Sequence, residues 1–67
     1  MTVQKLVLEI AATRKSSVKD LFREAYSNYY AATIPEKELV EDCIAFNRHR
    51  MVPEYVEDYV LVVYGFL

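Results

Sequence analysis

The densest group of side chains that could do chemistry lies between residues 14 and 23. A helix is predicted to begin there, so free backbone amides and the positive end of the helix dipole would join nearby cations and favour an anion. In a DNA-binding protein such a group would hold a backbone phosphate. The alternative that we favour is a capped helix with a charged outer face. The candidate anion-binding residues are Arg14, Lys15, Ser16, Ser17, Lys19 and Arg23.

The single histidine, His49, stands between Arg48 and Arg50. In an anion clamp it could titrate near neutrality. Neighbouring positions on a helix point about 100° apart, however, so the two arginines do not converge easily on one ligand. Cations at the end of a helix also match the negative end of its dipole. We therefore interpret these three residues as a helix C-terminus.

Metal binding and nucleophilic catalysis lack their usual residues. Cys43, the only cysteine, lies six positions before His49, so on one helix the two side chains face different ways. No further Cys or His exists to complete a zinc site. No serine lies in a glycine-bounded turn of the hydrolase type, and one glycine cannot build a phosphate-cradling loop. The sequence predicts no metal and no cofactor.

Two pairs of carboxylates are spaced four residues apart, Glu38 with Asp42 and Glu54 with Asp58. Each pair shares one face of a helix, where neighbouring acids could tune acid–base chemistry. Such pairs are more typical of a solvated acidic surface that is mildly destabilised by repulsion. We therefore predict no catalytic residues and no enzyme.

Tyrosine is unusually frequent, with six residues in the chain. A tyrosine buries a large ring and keeps a hydroxyl group for water or a partner, so it suits both core edges and interfaces. Helical spacing places Tyr29 and Tyr59 in the predicted core. It places Tyr26, Tyr30 and Tyr55 at the rim, where we predict an interface.

The segments TRKSS, TIP and MVP divide the chain into four elements. The first has apolar residues at helical spacing and is predicted as a helix, although alternation over residues 3–10 also permits a short strand. The second is a helix from about Ser17 to Ala32; Ser16 or Ser17 can cap its first free amides, and Asp20, three residues after Ser17, resembles the acid of a capping box. Its apolar stripe is Val18, Leu21, Phe22, Ala25, Tyr29 and Ala32.

The third element is a helix that begins at Pro35 and ends near Arg50, with acids in its first turn and cations in its last. Its predicted inner face consists of Leu39, Val40, Cys43, Ile44 and Asn47.

The fourth element is a helix from Pro53, with Val56, Tyr59, Val60 and Val63 as its inner stripe. Gly65 would close it in a left-handed conformation, with Phe66 folding back on Leu61. A strand over residues 59–64 is the alternative, because valine is frequent there.

The chain is predicted to be a single domain of 67 residues, all-α, with three or four helices joined by short connections. Apolar residues make up 54% of it, more than one small core can bury, so we expect a homo-oligomer or a protein partner. One cysteine excludes an internal disulfide and favours the cytoplasm. The apolar stretch at residues 60–67 is too short to span a membrane.

The net charge of −2 is unevenly distributed and disfavours nucleic acid. Residues 1–34 carry five cations and three carboxylates, whereas residues 35–67 carry three cations and seven carboxylates. Such halves could pair head to tail in a dimer, or be two solvated faces.

The leading hypothesis is a small non-enzymatic helical protein that acts through protein–protein contacts and self-associates: an accessory subunit, a regulator or an inhibitor. Two alternatives remain. One is a DNA-associated regulator that uses the basic residues from Arg14 to Arg23. The other is a catalytic component whose active site is completed by another chain.

Overall fold

The computed structural model describes residues 2–64 and contains four helices in that range. Their bounds are α1 Val3–Thr13, α2 Val18–Tyr30, α3 Glu36–His49 and α4 Glu54–Val63. No residue from 2 to 64 lies in a strand. The all-α fold class is therefore confirmed, and the strand alternatives for residues 3–10 and 59–64 are wrong.

Helix α2 begins where its predicted cap places it, and α1 is capped by a threonine that was not predicted. Thr2 caps α1 by accepting a hydrogen bond from the Lys5 amide at 3.3 Å, and Ser17 caps α2 by accepting one from the Asp20 amide at 3.1 Å. The prolines before α3 and α4 occupy the N-cap position, one residue earlier than the predicted first turn. Each has the fixed backbone angle of proline and is followed by a glutamate, which favours the positive end of the helix.

Three turns use left-handed residues that are not glycine. Lys15, Ala31 and Arg50 have φ angles of 54°, 54° and 56°. Because Ala31 leaves the helical conformation, α2 ends before the predicted Ala32. At the end of α3, the Arg50 amide donates to the Phe46 carbonyl at 2.9 Å. The predicted closure of α4 by Gly65 and Phe66 lies outside the described residues.

The core forms around α2, which packs against each of the other three helices. The rings of Phe22 and Phe46 meet edge to face with centroids 5.6 Å apart, an arrangement that aromatic pairs favour. Leu21 and Leu39 are buried beside them, and α1 and α4 supply the other large side chains that are fully buried, Val7, Val56 and Val60.

The predicted inner face of α3 is partly wrong. Leu39 is buried as expected, but Val40 and Ile44 are 40% and 48% exposed, and the prediction omitted Phe46. The stripes Leu39–Cys43–Phe46 and Val40–Ile44–Asn47 have the same spacing and differ only by a rotation of the helix. The helix is rotated so that the aromatic ring of Phe46 meets Phe22 in the core.

The predicted inner stripe of α4 also needs correction. Val56 and Val60 are buried, whereas Val63 is exposed. Tyr55, predicted at the rim, is only 6% exposed, and Tyr29, predicted in the core, is 44% exposed. The inward face of α4 therefore includes Tyr55 and leaves the last turn of the helix at the surface.

Candidate functional site

Three of the four cations among the candidate anion-binding residues are paired with carboxylates of the same chain. Arg14 binds Glu24 at 2.8 Å, Lys19 lies 3.1 Å from Glu36, and Arg23 lies 3.0 Å from Asp20. The atoms that make these contacts are Nη1 of Arg14 with Oε2 of Glu24, Nζ of Lys19 with Oε1 of Glu36, and Nη1 of Arg23 with Oδ1 of Asp20. Each cation therefore has a different carboxylate partner. Of the two serines, Ser17 already uses its hydroxyl to cap α2. Three cations of the basic segment are therefore partly neutralised by carboxylates of the chain, whereas Lys15 has no ion pair within residues 2–64.

A polar network, which we call the Glu24 clamp, ties α1, α2 and α4 together. Its members are Arg14, Glu24, Tyr59 and Tyr64. Both Arg14 terminal nitrogens donate to the Glu24 carboxylate, at 2.8 Å each, and Nη1 also donates to the Tyr64 hydroxyl at 3.2 Å. The Tyr59 hydroxyl donates to the same carboxylate. Bidentate arginine–carboxylate pairs fix geometry as well as charge, so this network links the three elements at the edge of the core.

The clamp shifts the titration of its members. Hydrogen bonds from Arg14 and then Tyr59 lower the pKa of Glu24 to about 2. Burial and the hydrogen bond to Glu24 raise the pKa of Tyr59 to about 12. Both shifts keep Glu24 charged and Tyr59 protonated at neutral pH, as the geometry requires. Neither group is poised to exchange a proton near neutrality.

The predicted interface tyrosines come together in a tyrosine cluster formed by Tyr26, Tyr29, Tyr30 and Tyr55. The Tyr26 ring lies 5.1 Å from Tyr55 and 4.6 Å from Tyr30, and Tyr29 lies 4.8 Å from Tyr30, centroid to centroid. The ring of Tyr55 is buried within the chain and its hydroxyl donates to Asp42. Burial and that hydrogen bond raise the Tyr55 pKa. Placing Tyr55 at the rim was wrong, because its ring packs inside the domain.

The predicted helix end around His49 is confirmed. Helix α3 ends at His49, and Arg50 adopts the left-handed conformation after it. The Arg50 guanidinium carbon lies 5.8 Å from the centroid of the Phe46 ring, within the range of a cation–π contact. Arg48, His49 and Arg50 are all exposed at this end of the domain.

An apolar groove lies between α2 and α4, and we call it the α2–α4 groove. It encloses about 370 Å³ and is lined by Asn28, Tyr29, Asp58, Tyr59, Val62 and Val63. Val62 is 65% exposed, although it is an aliphatic side chain. The charge of Glu54, followed by burial and the charge of Asp58, raises the pKa of Tyr29. The groove is thus apolar inside and acidic at its border.

A second open groove lies between α2 and α3. It encloses about 400 Å³ and is lined by Ser17, Val18, Lys19, Val40, Cys43, Ile44 and Asn47. Cys43 is half-buried, and burial is the main reason that its pKa is raised. A protonated thiol is a poor nucleophile and a poor metal ligand. The apolar side chains of this groove come chiefly from the outer face of α3.

Residues 2–64 contain no group of three or more His, Cys, Asp or Glu side chains placed to hold a metal ion. Within that range no helix combines the length and the apolar character needed to cross a bilayer.

Sequence reasoning missed the two surfaces that the fold exposes. The missed signal on α4 is the spacing of Glu54, Asp58 and Val62, which puts two acids and a valine on one face.

Comparison with protein-family models, with curated proteins and with solved structures gave no match.

Proposed function

We propose that this chain acts through protein–protein contact, without catalysis or a cofactor, and that it associates with further copies of itself. The observation that carries the proposal is the α2–α4 groove, where Tyr29, Val62 and Val63 are exposed side by side. Single exposed apolar residues are common, but grouped ones mark contact surfaces.

The distribution of apolar residues supports association. The core is already filled by residues from all four helices, so Tyr29, Val62 and Val63 are not needed inside it. A domain of this size gains only a small margin of stability from its own core. Covering the groove with another copy would bury further apolar surface and stabilise the folded chain by mass action.

The compartment proposed for this contact is the cytoplasm. One cysteine leaves the chain without an internal disulfide, which fits a reducing environment. The DNA-binding alternative loses its main support because Arg14, Lys19 and Arg23 are engaged by carboxylates within residues 2–64. Nucleic acid binding depends on cations that remain free to neutralise phosphates.

Val62→Ser tests the proposal. Val62 is well exposed, so the variant keeps its fold but removes apolar surface from the groove. We expect sedimentation equilibrium to show weaker association than for the unmodified chain. Leu8→Ser is the matched control, since Leu8 is an exposed aliphatic residue of α1 that lines neither groove. Equal masses for Val62→Ser and the unmodified chain at every concentration would contradict the role of the groove.

A further inference from the structure

The outer face of α3 carries an apolar and cationic stripe. We call it the α3 outer stripe; its residues are Val40, Ile44 and Arg48, spaced four apart so that they follow one another along the helix. All three are exposed. Arg48 forms no ion pair with any carboxylate of residues 2–64. Glu41 lies beside the stripe, but Arg50 and His49 adjoin Arg48, so the end of the stripe near Arg48 is positive.

The α2–α4 groove has the opposite electrostatic character. None of its lining residues is a cation. Glu54 and Asp58 lie one turn apart on α4, followed one turn later by Val62, and neither acid is ion-paired within residues 2–64. Helix α4 therefore carries two carboxylates that no cation of residues 2–64 pairs with, one at the border of the groove and one in its lining, followed by apolar surface.

We infer that the α3 outer stripe of one copy docks in the α2–α4 groove of the next copy. This inference rests on the self-association proposed above. With α3 and the facing α4 antiparallel, Arg48 lies opposite Asp58 and Ile44 lies opposite Val62. Four residues span about 6 Å along either helix, so the two pairs form in the same register. Glu54 adds a second carboxylate near Arg48.

Charge favours this pairing over a symmetric dimer. A groove that faces a groove brings the carboxylates of both copies to one interface, and no groove-lining residue supplies a cation for them. Like charges brought together across an interface disfavour that arrangement. A stripe that faces an antiparallel stripe puts Arg48 of one copy opposite Val40 of the other and leaves Glu54 and Asp58 unpaired. Stripe against groove brings Arg48 to the carboxylates of α4 and joins apolar surfaces in the same contact.

The consequence is a head-to-tail assembly. Stripe and groove are different surfaces, so each contact leaves one free stripe and one free groove. Association of this kind continues until a ring closes or a filament grows, whereas a symmetric dimer stops at two copies. The class of partner is a second copy of this chain, and each copy can contact two others.

Mixing two variants tests the inference. Ile44→Glu breaks the stripe and leaves the groove intact, whereas Val62→Glu breaks the groove and leaves the stripe intact. Both residues are about half exposed or more, so the variants should fold, which circular dichroism checks. We expect each variant alone to sediment as a monomer. An equimolar mixture should give a species of twice the chain mass, because one intact stripe can still meet one intact groove.

The outcomes separate the two proposals. If Ile44→Glu alone associates like the unmodified chain, or if the mixture stays monomeric, the head-to-tail contact is overturned while groove-based self-association can stand. If the unmodified chain is itself a monomer at every concentration, both proposals fail.

A charge exchange provides a second, independent readout. Arg48→Asp and Asp58→Lys should each weaken association by about tenfold or more, as expected for a single close charge pair. The double variant carrying both changes restores opposite charges in reversed order. Recovery of assembly in the double variant supports the Arg48–Asp58 pairing. Weakening that simply adds, with no recovery, overturns it.

Discussion

Two parts of the contact between α2 and α4 use similar residues in opposite ways. In the Glu24 clamp, the carboxylate of Glu24 is satisfied by Arg14 and by the Tyr59 hydroxyl. In the α2–α4 groove, Asp58 and the exposed ring of Tyr29 lie beside bare valine surface, and no cation of residues 2–64 pairs with that acid. The clamp is a completed intramolecular contact. The groove likewise contains an acid and tyrosine side chains, but no cation of residues 2–64 pairs with its acid.

This contrast separates residues that stabilise the fold from residues that are available for function. Partly exposed polar groups such as those of the clamp stabilise the fold when their hydrogen-bond partners lie within the chain. Exposed apolar groups with unpaired charges contribute little until another surface covers them. Mutations in the clamp should therefore change stability, and mutations in the groove should change association.

The largest expected effect is a difference in the free energy of unfolding between two tyrosine variants. Tyr55→Ala removes a buried ring and should lower the free energy of unfolding by about 3–5 kcal/mol. Tyr29→Ala removes a partly exposed ring in the groove and should cost less than about 1 kcal/mol while weakening association. Urea denaturation and sedimentation measure the two quantities. Equal stability losses for both variants would abolish the distinction between the core and the groove.

A smaller effect is expected when the clamp loses its charge. Glu24→Gln keeps the size of the side chain but replaces the bidentate charged contact with Arg14. Because this pair is partly exposed, we expect a loss of about 1 kcal/mol in urea denaturation. Glu57→Gln is the control, since Glu57 is an exposed acid of α4. A clamp without structural importance would make the two variants equally stable.

The clamp also predicts how stability depends on pH. The pKa of Glu24 falls from 4.5 to about 2 on folding, so the folded state binds fewer protons at this group than the unfolded state. Its contribution is complete above pH 4.5 and is lost as the pH falls towards 2. The stability gap between the unmodified chain and Glu24→Gln should therefore narrow over that interval in thermal melts. A gap that stays constant between pH 5 and pH 2 would show that the carboxylate does not stabilise the fold.

The smallest expected effect is at His49. As part of an exposed helix end, His49→Ala should change the free energy of unfolding by less than about 0.5 kcal/mol. The variant should associate like the unmodified chain, as measured by sedimentation. A selective loss of association with unchanged stability would assign His49 to the interface.

The positions of the helices followed from local sequence, because their ends are set by nearby residues. Ser17, Pro35, Pro53 and the cations from Arg48 to Arg50 each act within one turn of their own helix. The rotation of each helix did not follow. On α3, two stripes of residues have the same helical spacing, so spacing alone did not show which stripe faces the core. The contact of Phe46 with Phe22 across the core determines which one does.

The Glu24 clamp could not be predicted for a related reason. It joins Arg14 to residues 10 and 50 positions away, so its geometry depends on the packing of whole helices. The groove could not be predicted either, because it is lined by residues of both α2 and α4 and depends on how these helices pack. Sequence spacing identifies what each helix carries but not what it faces.

The most direct test of the central claim is the mass of the unmodified chain in solution. Sedimentation equilibrium over a range from micromolar to millimolar concentration should give a mean mass that rises steadily above the chain mass of 7.8 kDa. The mass should continue beyond two chains as concentration increases, since each contact leaves a stripe and a groove free. A mass of 7.8 kDa at every concentration would contradict the proposed self-association.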